Sequence, residues 1–306
     1  MMKAYIDAKY LGREYFYKLI GNFKDVIFLT EDDDDQDYEV IISMQSFFQN
    51  NDLDRFPHLR WVQILMAGYD KFDLRKAKSK GIRVTTAQDV FSITIAEDVL
   101  GKILYFNRNL KHFREMMAKE KWDPIPKEPE IYQSTIGLLG AGSIARELAK
   151  RFRAFDTRIL CYRKRQLQAP FADETYWDKA GLEKLLEASD YVIVCLPLTE
   201  ETDGLLDWKM LTKMKSNALF INVARGAIVD QDALIRILKE KKIRGAGLDV
   251  TTPEPLDPGN ELWHLPNVLI TPHNASSSSR MRERLYALIC DNLERYLDNK
   301  ELKYEV

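Results

Sequence analysis

The chain has 306 residues, 45% apolar and 30% charged, with a formal charge of −2. That length supports two domains with real cores, and the near-neutral charge excludes a global basic field that would draw it to nucleic acid. Apolar stretches such as Tyr191–Leu196 are far too short to span a bilayer.

The start, Met1-Met2-Lys3-Ala4-Tyr5-Ile6, runs straight into a strand-like pattern, so no signal peptide is expected. Short runs rich in Val, Ile and aromatics at 4–6, 26–30, 40–44, 61–65 and 82–85 read as strands. Segments 10–20 and 72–80 between them read as helices. This alternation predicts a parallel sheet covered by helices. The acidic run Glu31-Asp32-Asp33-Asp34-Asp35 lacks the glycine and distal Glu of a calcium loop and reads as a solvated surface loop.

A long helical pattern runs from Ser92 to about Lys119. Pro124, Pro126 and Pro129 then forbid helix and mark the entry to a second domain. That domain opens with a buried strand at 134–139, then Gly140-Ala141-Gly142-Ser143-Ile144-Ala145, then a helix over 143–152. Strands follow at 158–162, 191–195, 218–223, 245–249 and 268–271, with helices at 182–187 and 231–240 among them. Ser276–Ser279 reads as a domain crossover combined with a helix cap, a flexible linker being the other reading. A last helix runs to about Asp298.

The glycine turn has the context of a dinucleotide site: it follows a strand and opens a helix. Gly140 permits the tight bend. Gly142 lets amides approach a pyrophosphate at the helix N-terminus, and the small Ala145 allows helix–strand packing. NAD sites place an acid about 20 residues past the turn to hold the ribose 2′-hydroxyl. This chain instead has Arg163-Lys164-Arg165, and the nearest following acid is Asp173. Three cations there favour NADP, gripped through its 2′-phosphate. The competing reading is a solvated basic loop in an NAD enzyme.

Three later segments offer an Arg, a Glu and a His, each just after a strand: Asn222–Gly226, Asp249–Pro255 and Thr271-Pro272-His273. A guanidinium can grip a carboxylate at two points, and an imidazole held by a carboxylate can pass a proton near neutral pH. The bland readings are a surface Arg at a turn, a capping His and a Glu that is mere loop between two prolines. The other histidines, His58, His112 and His264, have no such setting. Cys161, Cys195 and Cys290 show no zinc spacing, no metal site is expected, and so sparse a count fits a reducing, cytoplasmic compartment.

At these residues the chain resembles the D-isomer-specific 2-hydroxyacid dehydrogenase family over nearly its whole length. The resemblance rests on 61–70, Ile95-Ala96-Glu97, the glycine turn, 196–202, 222–226, 247–250, Glu254-Pro255 and 267–273. It implies an α/β fold with a Rossmann-type cofactor domain, 97–275, inserted into a flavodoxin-like substrate domain, 1–96 plus 276–306. It implies a cleft active site and a homodimer through the cofactor domain. Arg225 would bind the substrate carboxylate and carbonyl oxygen. Amides at Ala67 and Gly68 would hold the carboxylate, His273 would donate a proton, and Glu254 would orient His273. Asp249 would touch the nicotinamide carboxamide. Leu196, Pro197, Val223 and Ala224 would line the cofactor, with Thr202 supporting their loop. The implied function is reduction of a small 2-keto acid to the D-2-hydroxy acid by NADPH, with NADH as the alternative. A nucleotide-sensing corepressor of the same fold is the rival from another class, and formate or phosphite oxidation a weaker one. Asn274, where the family more often has an apolar residue, is a departure in local packing.

Overall fold

The computed structural model describes residues 1–31 and 37–306; Asp32–Asp35 of the acidic run lie outside the described residues. By its contacts the chain divides into two units, Met1–Phe91 with Ser277–Val306, and Ser92–Ser276.

The first unit holds five strands: β1 (Met2–Ile6), β2 (Val26–Leu29), β3 (Val40–Ser43), β4 (Trp61–Ile64) and β5 (Arg83–Thr85). All pair in parallel in the order β2-β1-β3-β4-β5, the flavodoxin-like order. Every residue of β3 and β4 is buried, Ser43 and Gln63 included, which is why these strands read as largely apolar runs. The C-terminal helix Met281–Leu297 returns to this unit. Its Tyr296 ring stacks on buried Trp61 at 5.2 Å, and Asn292 Nδ2 donates to Gln63 Oε1 at 2.9 Å.

The second unit holds β6 (Thr135–Leu139), β7 (Arg158–Tyr162), β8 (Glu174–Tyr176), β9 (Tyr191–Val194), β10 (Leu219–Asn222), β11 (Gly245–Leu248) and β12 (Val268–Ile270). They form one parallel sheet in the order β12-β11-β10-β9-β6-β7-β8. Its direction of growth reverses between β6 and β9. Ligands of such sheets bind in the crevice at the carboxyl ends of the strands flanking that reversal.

Four local expectations are corrected. The helix read over 10–20 is broken by Gly12, at φ 90°, into Ala8–Leu11 and Arg13–Asn22. The long helix is two, Ser92–Asn107 and Leu110–Ala118. Asn109 turns left-handed at φ 46° between them, which Asn tolerates better than most residues, and its Nδ2 donates to Glu128 Oε1 of the proline-rich segment. The serine run does not cap the last helix: Arg280 occupies the cap position and makes no side-chain capping bond, and Ser278 Oγ accepts from the Arg280 amide instead. Strand β8 is additional, three residues at the sheet edge.

Candidate active site

At the reversal point, Gly140 follows β6 with φ 124°. A Cβ there would lie 2.7 Å from the Cys195 carbonyl oxygen, just past β9, so only glycine fits. Its amide donates to the Tyr162 carbonyl at the end of β7. Gly142 precedes the ten-residue helix Ser143–Phe152, and a Cβ on it would meet open space. That exposed backbone beside a helix N-terminus suits a pyrophosphate. Ala145 is fully buried and Ser143 nearly so, while Ala141 and Ile144 are half-buried. The residues present therefore fit a dinucleotide.

Past β10 the chain turns through Val223, Ala224 and Arg225. Asn222, 2% exposed, clamps this turn from inside: its Oδ1 accepts from the Ala224 amide and its Nδ2 donates to the Arg225 carbonyl, both at 3.0 Å. Arg225 Nη1 donates to the Ala224 carbonyl at 2.8 Å. Val223 and Ala224 are buried. Gly226 then packs against the backbone of Thr251, in the loop past β11.

That loop carries Glu254 between Pro253 and Pro255, with both X–Pro bonds cis. Gln231 holds it by two points, Nε2 to the Thr252 carbonyl and the Thr252 amide to Oε1, at 2.6 and 2.9 Å. Glu254 Oε1 accepts from the Thr251 amide at 3.2 Å, and its Oε2 lies 2.8 Å from Nδ1 of His273. Both side chains are part-exposed, as a proton relay open to substrate must be. With Nδ1 engaged, Nε2 is the atom that can deliver a proton. His273 has φ 51° and its amide donates to the carbonyls of Asp249 and Thr271.

The three expected catalytic residues thus sit on consecutive strand ends, β10, β11 and β12. Among the described residues no cluster of three His, Cys, Asp or Glu could hold a metal ion. A hollow of about 510 Å³ lined by Tyr5, Asp7, Arg13, Glu31 and Arg282 belongs to the first unit and includes none of them.

Residues 100–275 match the family model described as D-isomer specific 2-hydroxyacid dehydrogenase, NAD binding domain. A glyoxylate reductase of Korarchaeum cryptofilum is 37% identical over 242 residues, covering 78% of this chain and 73% of that relative. The chain belongs to the D-isomer specific 2-hydroxyacid dehydrogenase family. A solved member from Aeromonas salmonicida superposes with a TM-score of 0.87 at 25% identity, covering 100% of this chain and 98% of that one. An NADPH-dependent glyoxylate/hydroxypyruvate reductase of Sinorhizobium meliloti gives 0.81 at 27% identity, with the same coverage. The two-domain α/β fold, Rossmann-type with flavodoxin-like, is that of this dehydrogenase family. The corepressor alternative finds no support in these relatives.

Other expected residues of this dehydrogenase fall as follows. Leu196 is buried and Pro197 exposed past β9, and Thr202 ties their loop by donating to the Pro197 carbonyl at 2.7 Å and accepting from the Thr199 amide at 2.8 Å. Arg163, Lys164 and Arg165 follow β7; Arg163 is half-buried and the other two exposed. Lys164 Nζ lies 2.7 Å from Glu201 Oε1. Lys164, then the Thr199 hydroxyl, hold the Glu201 carboxyl down to about 2. Asp173 is no substitute for the missing acid, because its Oδ2 accepts from the Ile159 amide near the opposite end of β7. Ala67 and Gly68 lie just past β4, in the first unit.

Asp249 is 3% exposed, and its carboxylate accepts from Thr271 Oγ1 and from the amides of Asn274, at 2.9 Å, and Ala275, at 3.0 Å. Its oxygens hold the turn that carries His273. Sequence reasoning also passed over Asn222 and Gln231. The first stood inside a quoted motif; the second, at the first position of the helix Gln231–Lys239, carried no signal.

Proposed function

We propose that this dehydrogenase reduces a small 2-keto acid to the D-2-hydroxy acid, with NADPH as its preferred reductant. The observation that carries the reading is the His273–Glu254 pair, with the Glu254 loop packed directly against the Arg225 turn.

In this reading Arg225 holds the substrate carboxylate and polarises the carbonyl oxygen, where negative charge grows during reduction. Bound NADPH supplies the hydride. His273 Nε2 gives its proton to the forming alkoxide, and Glu254 fixes the ring. Leu196, Pro197, Val223 and Ala224 line the cofactor. The preference for NADPH rests on Arg163, Lys164 and Arg165 where an acid would repel the 2′-phosphate.

The dehydrogenase acts as a homodimer through its second unit. Support comes from Leu110, Phe113, Met117 and Trp122, large apolar side chains left exposed on and just after one helix. Among the described residues no helix is long and apolar enough to cross a membrane. The three cysteines are free thiols, which supports a reducing, cytoplasmic setting.

The test is loss of reduced nicotinamide absorbance with NADPH or NADH against glyoxylate, hydroxypyruvate and bulkier 2-keto acids. Turnover of at least one of them, faster with NADPH, is expected. No turnover by an enzyme that binds nucleotide would overturn the reading.

A further inference from the structure

The helix Ser92–Asn107 buries a lysine that the proposed chemistry does not use. The Lys102 side chain is 2% exposed. Its ammonium bonds the carboxylate of Asp98, one helical turn back, and lies 4.0 Å from Asp249 Oδ1. Room for its stem comes from Gly247 in β11: a Cβ there would stand 3.2 Å from Lys102 Cδ and 2.7 Å from Ile221 Cδ1.

A buried cation is costly to hold, so its surroundings matter. Asp249 takes three donors, all from the 271–275 turn. An ionised carboxylate can accept all three. The Lys102 ammonium faces the same oxygen, Oδ1, that accepts from the Thr271 hydroxyl and the Asn274 amide. The Asp249 carbonyl meanwhile receives the His273 amide. Burial lifts the Asp98 carboxyl above its usual range, with Lys102 acting against that lift.

We infer that Lys102 is a positioning residue for proton transfer: from between Asp98 and Asp249 it fixes the carboxylate that sets the 271–275 turn, and so the placement of His273. The inference rests on the assignment of His273 as proton donor.

The experiment is a double-mutant cycle on the full-length enzyme with Lys102→Met and Asp249→Asn, read as kcat and KM with NADPH and glyoxylate, or hydroxypyruvate if glyoxylate is not turned over. His273→Asn is run beside it, and thermal unfolding checks that each variant folds. A misplaced imidazole lowers kcat while leaving nucleotide binding alone. Lys102→Met is therefore expected to lose on the order of 10-fold or more in kcat, with KM for NADPH within about threefold of the parent. Because Lys102 acts through Asp249, adding Lys102→Met to Asp249→Asn is expected to cost no more than about twofold further. A folded Lys102→Met enzyme with the parent's kcat overturns the inference, as does an additive loss in the double variant. If Lys102→Met alone does not fold, the double variant leaves only the part-exposed Asp98 carboxylate without its partner, and its comparison with Asp249→Asn decides. Full activity in His273→Asn would instead remove the proton-donor reading.

Discussion

Gly226 stands so close to Thr251 that a Cβ at 226 would lie 2.1 Å from the Thr251 carbonyl oxygen. Backbone cannot swing aside as a flexible side chain can, so this contact locks the Arg225 turn to the Glu254 loop. Gly226→Ala is expected to lower stability by about 1–3 kcal/mol through overpacking. It should also cut kcat/KM on the order of 10-fold or more by displacing Arg225. Thermal unfolding and steady-state kinetics check both; an enzyme unchanged in both would mean the two segments move independently.

Arg225 has its backbone held by Asn222, and its guanidinium is the group assigned to the growing oxyanion. Arg225→Ala is expected to lose on the order of 100-fold or more in kcat/KM. Arg225→Lys should recover only part, since an ammonium lacks the two-point fork. Near-parental turnover in Arg225→Ala would refute the role.

His273 gives a proton in reduction and takes one in oxidation. The reduction rate should therefore fall as pH rises, and the oxidation rate should rise. Rate profiles in both directions test the sign; matching profiles would contradict the assignment. The Glu254 carboxylate, 2.8 Å from Nδ1, holds the ring in place, so Glu254→Ala, which removes that partner, is expected to lower kcat on the order of 10-fold or more through lost orientation.

Cofactor choice has two handles. Arg163→Ser is expected to raise KM for NADPH on the order of 10-fold while leaving NADH within about threefold, because only the 2′-phosphate contact is lost. Lys164 is paired with Glu201, and both are exposed. Exposed pairs contribute little, so Glu201→Gln should lower KM for NADPH by about fivefold at most. Equal effects of Arg163→Ser on both nucleotides would dissociate the basic segment from the 2′-phosphate.

Ten of the twelve strands among the described residues were legible to within one residue because buried parallel strands are largely apolar runs, as β9 is along its whole length. Strand β1 began two residues earlier than read, at Met2. The edge strand β8 was not legible: three residues with two polar-tipped side chains, Glu174 and Tyr176, make no run, and their own hydrogen bond ties them together. The break at Asn109 was hidden because helical periodicity continues on both sides, and the residue that fixes it, Glu128, lies beyond the second helix. Arg225, Glu254 and His273 stood out as polar residues placed just after apolar strands. Their supports did not. Asn222, Gln231 and Lys102 act through partners up to 147 positions of sequence away or hidden inside a motif, and only folding brings Lys102 of a helix beside Asp249 of a strand end.

The most direct measurement is NADPH consumption with a panel of small 2-keto acids by the parent and by His273→Asn. Reduction of at least one acid to its D-2-hydroxy product by the parent, lost in His273→Asn with nucleotide binding intact, is the expected result. No reduction by a parent enzyme that binds NADPH, or undiminished reduction by His273→Asn, would contradict the central claim.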